Sequence, residues 1–183
     1  MPQPALAPTY LIFPPGPADA EAMARVHVTS WRETYKGLLP DAYLARMSEP
    51  EFARRFRWSL DRQPGVTLAA ADRFGLVGYA SGAPSSRRQH PGEGEIVVLY
   101  LVRAAQNRGV GRRLLTETAR ALAAQGATSL MISVLRENFA ARGFYEHLGG
   151  VAEPAREEIG PGGATVHEVA YRWADIRTVF SAR

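Results

Sequence analysis

Apolar positions along this chain fall into two periods, and each switch of period marks an element. Residues 9–13 make a short apolar run that reads as a first strand. From Pro17 to Trp31, Met23, Val26, His27 and Ser30 lie near helical spacing. Gly37 and Pro40 break that helix, and Pro40-Asp41 opens a second one through Leu44 and Met47 towards Trp58. Gln63-Pro64-Gly65 is a turn. Val66–Ala71 and Phe74–Ser81 then read as a hairpin around Asp72-Arg73. Glu95 to Val102 (EIVVLYLV) is an apolar strand, and a helix starts near Val110, running through Leu114, Leu115, Ala119 and Leu122 until Gly126 ends it. Leu130–Leu135 is the next strand and Asn138–Leu148 the next helix. Two last strands, Glu153–Ile159 and Thr165–Trp173, flank the turn Gly160-Pro161-Gly162-Gly163.

The order β-α-α-β-β-β-α-β-α-β-β predicts an α/β (α+β) protein. With 183 residues and no repeat or linker, the expectation is one domain over 1–183, with 1–8 as a loose tail.

Composition removes whole classes of function. Hydrophobic content of 46% and charged content of 22% fit an ordinary soluble domain, and no stretch approaches a membrane span, so no membrane partner is expected. The start, MPQPALAPTYLIFPPGP, lacks the basic-then-apolar order of a secretory signal, so the expected compartment is the cytoplasm. The formal charge of +4 permits nucleic-acid binding. However, the densest basic patch outside the glycine loop, Arg87-Arg88-Gln89-His90, sits among Pro, Ser and Gly with no zinc-finger or RNP-like pattern. No nucleic-acid partner is expected, and the excess charge suits attraction of an anionic cofactor. The chain has no cysteine, which excludes disulfides, thiolate metal sites and a cysteine-bound acyl group. No Gly-x-Ser-x-Gly elbow is present, and His27, His90, His147 and His167 are scattered, so neither a serine nucleophile of that type nor a metal is expected.

The candidate chemistry centres on Gln106-Asn107-Arg108-Gly109-Val110-Gly111, between the Glu95 strand and the Val110 helix. A strand turning through two glycines into a helix leaves backbone N–H groups without partners at the positive end of the helix dipole, which is an anion site. Gly109 and Gly111 let a diphosphate approach the backbone, and Arg108, Arg112 and Arg113 add positive charge. A P-loop would need Lys-Ser/Thr after Gly111, where Arg112-Arg113 stand. A dinucleotide fingerprint would need glycine at Leu114.

The pattern Gln-x-x-Gly-x-Gly resembles the coenzyme A pyrophosphate loop of the GNAT acyltransferase superfamily. Asn138-Phe-Ala-Ala-Arg-Gly-Phe-Tyr-Glu-His-Leu-Gly149 resembles the second motif of that family, except that Gly150 stands where the family often has Phe. The segment from Val26 to Asp41 and the tail Glu168–Trp173 resemble its opening helix and its last strand. The resemblance implies a mixed, mostly antiparallel sheet of about seven strands flanked by about four helices. It also implies an N-acetyltransferase that moves acetyl from acetyl-CoA directly to a primary amine of a small molecule or peptide. The alternative is a GNAT-fold sensor or interaction module that binds acyl-CoA without catalysis. Family members are often dimers, so a homodimer stays open.

Carried over residue by residue, the resemblance assigns backbone contacts with the acyl-pantetheine arm to Leu99, Tyr100 and Leu101, on a strand that splays from its neighbour. The diphosphate falls to Gln106, Asn107, Arg108, Gly109, Val110, Gly111 and Arg112. Asn138 contacts the coenzyme arm, and Tyr145 is the general acid near the sulfur. Glu95, eleven residues before Gln106, takes the register of the base glutamate in histone-acetylating members, with Glu93 or a chain of waters as competitors. Ser133 stands where some acetylators of protein N-termini carry glutamate. Trp31, Glu33 and Tyr35 on the first helix are the expected acceptor-side residues, an aromatic wall with a carboxylate for a cationic amine.

Overall fold

In the computed structural model, which describes residues 9–62, 65–85 and 90–181, the chain begins with β1 (Leu11–Phe13), α1 (Ala20–Tyr35), α2 (Asp41–Arg46) and α3 (Glu49–Ser59). Next come β2 (Val66–Asp72), β3 (Gly75–Pro84), β4 (Glu93–Leu101), α4 (Val110–Ala124), β5 (Ser129–Leu135) and α5 (Phe139–His147). It closes with β6 (Val151–Ala152), β7 (Arg156–Ile159), β8 (Thr165–Trp173) and α6 (Thr178–Ser181). The predicted tail 1–8, Gln63-Pro64 of the predicted turn and Arg87-Arg88-Gln89 of the basic patch lie outside the described residues.

The strands form one 8-stranded sheet in the order β1-β2-β3-β4-β5-β8-β6, with β7 also paired to β8. Only β4 and β5 run parallel. This is the mixed, mostly antiparallel sheet expected, with more pieces than expected, and prolines account for two of them. A continuous helix from Asp41 to Trp58 would set the Pro50 ring against the Arg46 carbonyl, so the chain extends at Met47 and Ser48 and restarts with Pro50 in the first turn of α3. Of the predicted Glu153–Ile159 strand only β7 forms, after Pro154, while the short β6 pairs ahead of the predicted start. The first helix runs four residues past its predicted end at Trp31, to Tyr35, because Gly37 is the first breaker it meets.

Two layers of helices cover the sheet. Met23 and Val26 of α1 pack with Tyr79, Val98 and Tyr100 on one face. On the other, Leu115, Ala119 and Leu122 of α4 and Tyr145 of α5 pack with Ile96, Ile132 and Tyr171. The apolar stripe of α4, Val110, Leu114, Leu115, Ala119 and Leu122, is wholly buried at the spacing that its sequence predicts. Trp173 closes this core over Gly150, where a Cβ would come within 2.8 Å of the indole Cζ2. The ring fills the space that a larger residue at 150 would need.

A bulge in β4 positions the site. Ser81 pairs with Val98 but Gly82 pairs with Ile96, so Val97 is an extra, outward residue. Gly82 is required opposite it, since a Cβ there would meet the Glu95 carbonyl oxygen at 2.9 Å.

Candidate active site

Pairing between β4 and β5 ends at Ile96–Ile132, although β4 runs on to Leu101 and β5 to Leu135. The two strands part directly after the bulge and leave a gap. On the β3 side, the Val102 N–H donates to the Val77 carbonyl at 2.9 Å. Antiparallel alternation therefore turns the backbone groups of Tyr100 and Val98 towards β3, and those of Leu99 and Leu101 into the gap. Of the predicted trio, Leu99 and Leu101 present backbone to the gap. Tyr100 does not, because the bulge resets the parity, and its ring serves the α1 face instead.

The gap leads to the glycine loop. Asn107 and Gly109 adopt left-handed backbone (φ 57 and 78), and Gly109 caps α4. The α4 ladder begins only with the Arg113 N–H, which donates to the Gly109 carbonyl at 3.1 Å. Among the described residues, the N–H groups of Asn107 through Arg112 have no acceptor. Such successive amides form a concave donor surface that suits phosphate oxygens. A Cβ on Gly111 would sit 3.1 Å from Leu101 Cδ1 and 3.5 Å from Phe144 Cζ, so glycine lets the first turn of α4 pack against the end of the gap.

The side chains around the loop divide their roles. Gln106 Nε2 donates to the Leu101 carbonyl at 3.2 Å, across the end of the gap. Arg108 Nε donates to Ala104 O at 3.0 Å, which folds that guanidinium along the loop. Arg112 lies half-buried in the first turn of α4. Arg113 is tied to Tyr10 O at 2.9 Å and anchors α4 to the chain before β1, so its guanidinium is engaged away from the loop.

Tyr145 lies on α5, 5% exposed, against Phe144, Tyr171 and Trp173. Burial pushes its phenol far above the ordinary tyrosine range, and Tyr35 adds to the shift. It therefore keeps its proton at any physiological pH. Its charge state is felt by Tyr100, and Tyr35's is felt by Tyr145, although Tyr100 packs on the opposite face and Tyr35 lies on α1. Asn138 caps α5, its Oδ1 accepting the Ala141 N–H at 3.2 Å. That cap does not use the Nδ2 hydrogens.

On the α1 face, the carboxylates separate by role. Gly94 and Ile96 face α4, so Glu93 and Glu95 project the other way. Glu93 opens β4, two residues before the predicted start. Its side chain is 1% exposed and ion-paired to Arg172, which also holds Glu153. Glu93 is thus a structural partner and no rival to Glu95 as proton acceptor. Glu95 is half-buried, two residues before the bulge. Glu33 does not join Trp31 and Tyr35: it lies about 200° around the helix from both. Its carboxylate accepts the Arg103 N–H at 2.8 Å and secures the turn after β4. The carboxylate felt by Tyr35 is Glu168 on β8, a neighbour that only the sheet register brings there.

Trp31 and Tyr35 do form an aromatic wall, with ring centroids 4.9 Å apart and the Tyr35 hydroxyl 3.3 Å from that of Tyr100. The wall continues to His27, a residue whose part in the site the sequence reading missed. Its place one helical turn before Trp31 was the available signal. His27 Nδ1 lies 2.6 Å from the Tyr79 hydroxyl, and Nε2 is buried without a partner. The ring borders a cavity of about 560 Å³ shared with Phe52, Phe56, Tyr79 and Val98.

Burial, helped by the nearby Arg55 charge, lowers the His27 pKa from 6.5 to about 4. The unfolded chain therefore binds more protons than the folded one between these values. Stability is full above pH 6.5 and is lost as pH falls towards 4, by up to about 3 kcal/mol. Urea unfolding across that window should show this slope, and His27→Gln should remove most of it.

The comparisons with known proteins agree with this geometry. A family model described as "Acetyltransferase (GNAT) family" matches residues 28–150. The chain is 30% identical over 158 residues to the N-acetyltransferase YuaI of Bacillus subtilis, a protein described as uncharacterized, and the match covers 86% of this chain and 89% of that protein. The PaiA N-acetyltransferase of Thermoplasma acidophilum, solved in complex with coenzyme A, shares its fold at a TM-score of 0.67 and 19% identity, over 90% of this chain and 99% of that one. The yncA structure from Salmonella typhimurium, solved with its cofactor acetyl-CoA, gives 0.71 and 19%, over 91% and 95%. Fold and family match define an acetyltransferase. The chain belongs to the GNAT acetyltransferase family.

Proposed function

We propose that this protein transfers an acetyl group from acetyl-CoA directly to a primary amine of a small molecule or peptide, with both substrates bound together. The observation that carries this reading is the parted β4–β5 edge, which runs into the unsatisfied amides of 107–112 with Tyr145 on the α5 side of the sheet. A strand edge with free amides fits an extended amide-bearing arm, and the loop fits its diphosphate. Bound acetyl-CoA supplies an activated thioester. Leu99 and Leu101 hold the arm, and the loop amides with Arg108 and Arg112 hold the phosphates. Asn138 adds a donor from Nδ2. Glu95 takes the proton that the amine sheds, and Tyr145 gives one to the departing sulfur.

Coenzyme A at about 100 times its Kd should raise the unfolding midpoint by roughly 5–10 °C. Gly109→Val forces a β-branched residue into left-handed backbone in open space, so it disturbs the loop without a core clash. It should weaken coenzyme binding at least about tenfold and shrink that shift. Thiol release with a panel of amines completes the test. Stabilisation by coenzyme A with no thiol release from any amine would make the protein a sensor.

A further inference from the structure

The cavity bordered by His27 lies between α1, α3 and strands β3 and β4, and the acetyl-transfer reading leaves its occupant open. Its floor is apolar: Phe52, Phe56, Tyr79 and Val98. Val98 follows the bulge residue directly, so this wall stands where β4 leaves β5. No acidic side chain lines the cavity among the described residues, whereas Arg54 and Arg55 do. The Arg55 guanidinium is already held there, 2.6 Å from Glu51 and over the Phe52 ring. A polyamine or aminoglycoside would bring cations against two guanidinium groups.

His27 adds a polar ring to the cavity wall, 7% exposed, with a buried and unpartnered Nε2. The hydrogen between Nδ1 and the Tyr79 hydroxyl has two arrangements. If Tyr79 donates, one buried group is left over, an Nε2–H donor. If His27 donates, two are left, the phenol hydrogen and a bare Nε2. The first leaves fewer groups unsatisfied. The low proton affinity of the ring, set by burial and by Arg55, keeps it neutral in either case. The cavity therefore offers two guanidinium groups, that of Arg55 shared with Glu51, around an apolar floor, with one unpartnered N–H donor buried at its edge.

Resting on the acetyl-transfer reading above, we propose that the acceptor is an apolar α-amino acid. Its side chain fills the Phe52–Phe56–Tyr79 floor, its carboxylate meets Arg55 and the His27 Nε2–H, and its amine is directed along β4 towards Glu95. The cavity's volume lies in the usual range of small-ligand sites.

Titration calorimetry of the protein, alone and with coenzyme A, tests this with L-phenylalanine, L-phenylalaninol and spermidine. L-phenylalanine should bind at least about tenfold more tightly than L-phenylalaninol, which lacks the carboxylate, and spermidine should give no heat. Arg55→Gln, at an exposed position, should lower the phenylalanine affinity at least about tenfold and leave that of phenylalaninol unchanged. Equal affinity for the two, insensitivity to Arg55→Gln, or preferred binding of spermidine would overturn the assignment. Coenzyme A binding without phenylalanine binding would sink the substrate class alone. Failure of coenzyme A to bind would sink both readings.

Discussion

Replacing Tyr145 with phenylalanine should lower kcat by about 100-fold or more, the usual range for losing a proton donor. Coenzyme A affinity should stay within about twofold, because the loop amides and the strand edge, not the phenol, hold the coenzyme. The phenol is buried and protonated, so it meets the departing sulfur as an O–H donor. The ring keeps its packing against Phe144, Tyr171 and Trp173 in the phenylalanine variant, so the fold is spared. Steady-state kinetics with a saturating amine, alongside coenzyme titration, separates the two effects. A variant that loses affinity and turnover equally would show that Tyr145 only shapes the gap.

The second large effect concerns stability. Arg172→Met strands Glu93, a carboxylate buried at the start of β4, and takes from Glu153 the same partner. Glu93 Oε2 is already buried without a hydrogen bond, whereas Glu153 keeps a longer ion pair with Arg156 at 3.8 Å, so the loss falls mainly on Glu93. Removing one member of a buried ion pair costs about 3–5 kcal/mol, and the urea midpoint should drop by about 1–2 M. The double variant Glu93→Leu with Arg172→Met should recover much of the loss, because the stranded charge is gone. A single variant that unfolds within about 0.5 kcal/mol of the parent would mean that water already reaches the pair.

Much of this was legible along the chain. The stripe of α4, the glycine turn before it and the apolar run of β4 are local patterns, set by periods of 3.6 and 2 and by left-handed glycine. Element boundaries slipped where a proline intervened, at Pro50 and Pro154, because apolar periodicity carries on across a residue that the backbone cannot. Glu93 and Glu95 look alike in sequence. Their difference is Arg172, 79 residues away, which two strand pairings bring alongside.

The sequence by itself determined the α/β order, the glycine turn that opens α4, the place of Tyr145 on its helix and the exclusion of cysteine chemistry. Only the tertiary structure decided which backbone groups of β4 enter the gap, that Glu33 secures a turn while Glu168 sits by Tyr35, and that His27 and Tyr79, 52 residues apart, join at one cavity. Local propensity acts over a few residues. The parity of a bulged strand and the meeting of distant side chains depend on sheet register, which is set only when the whole chain packs.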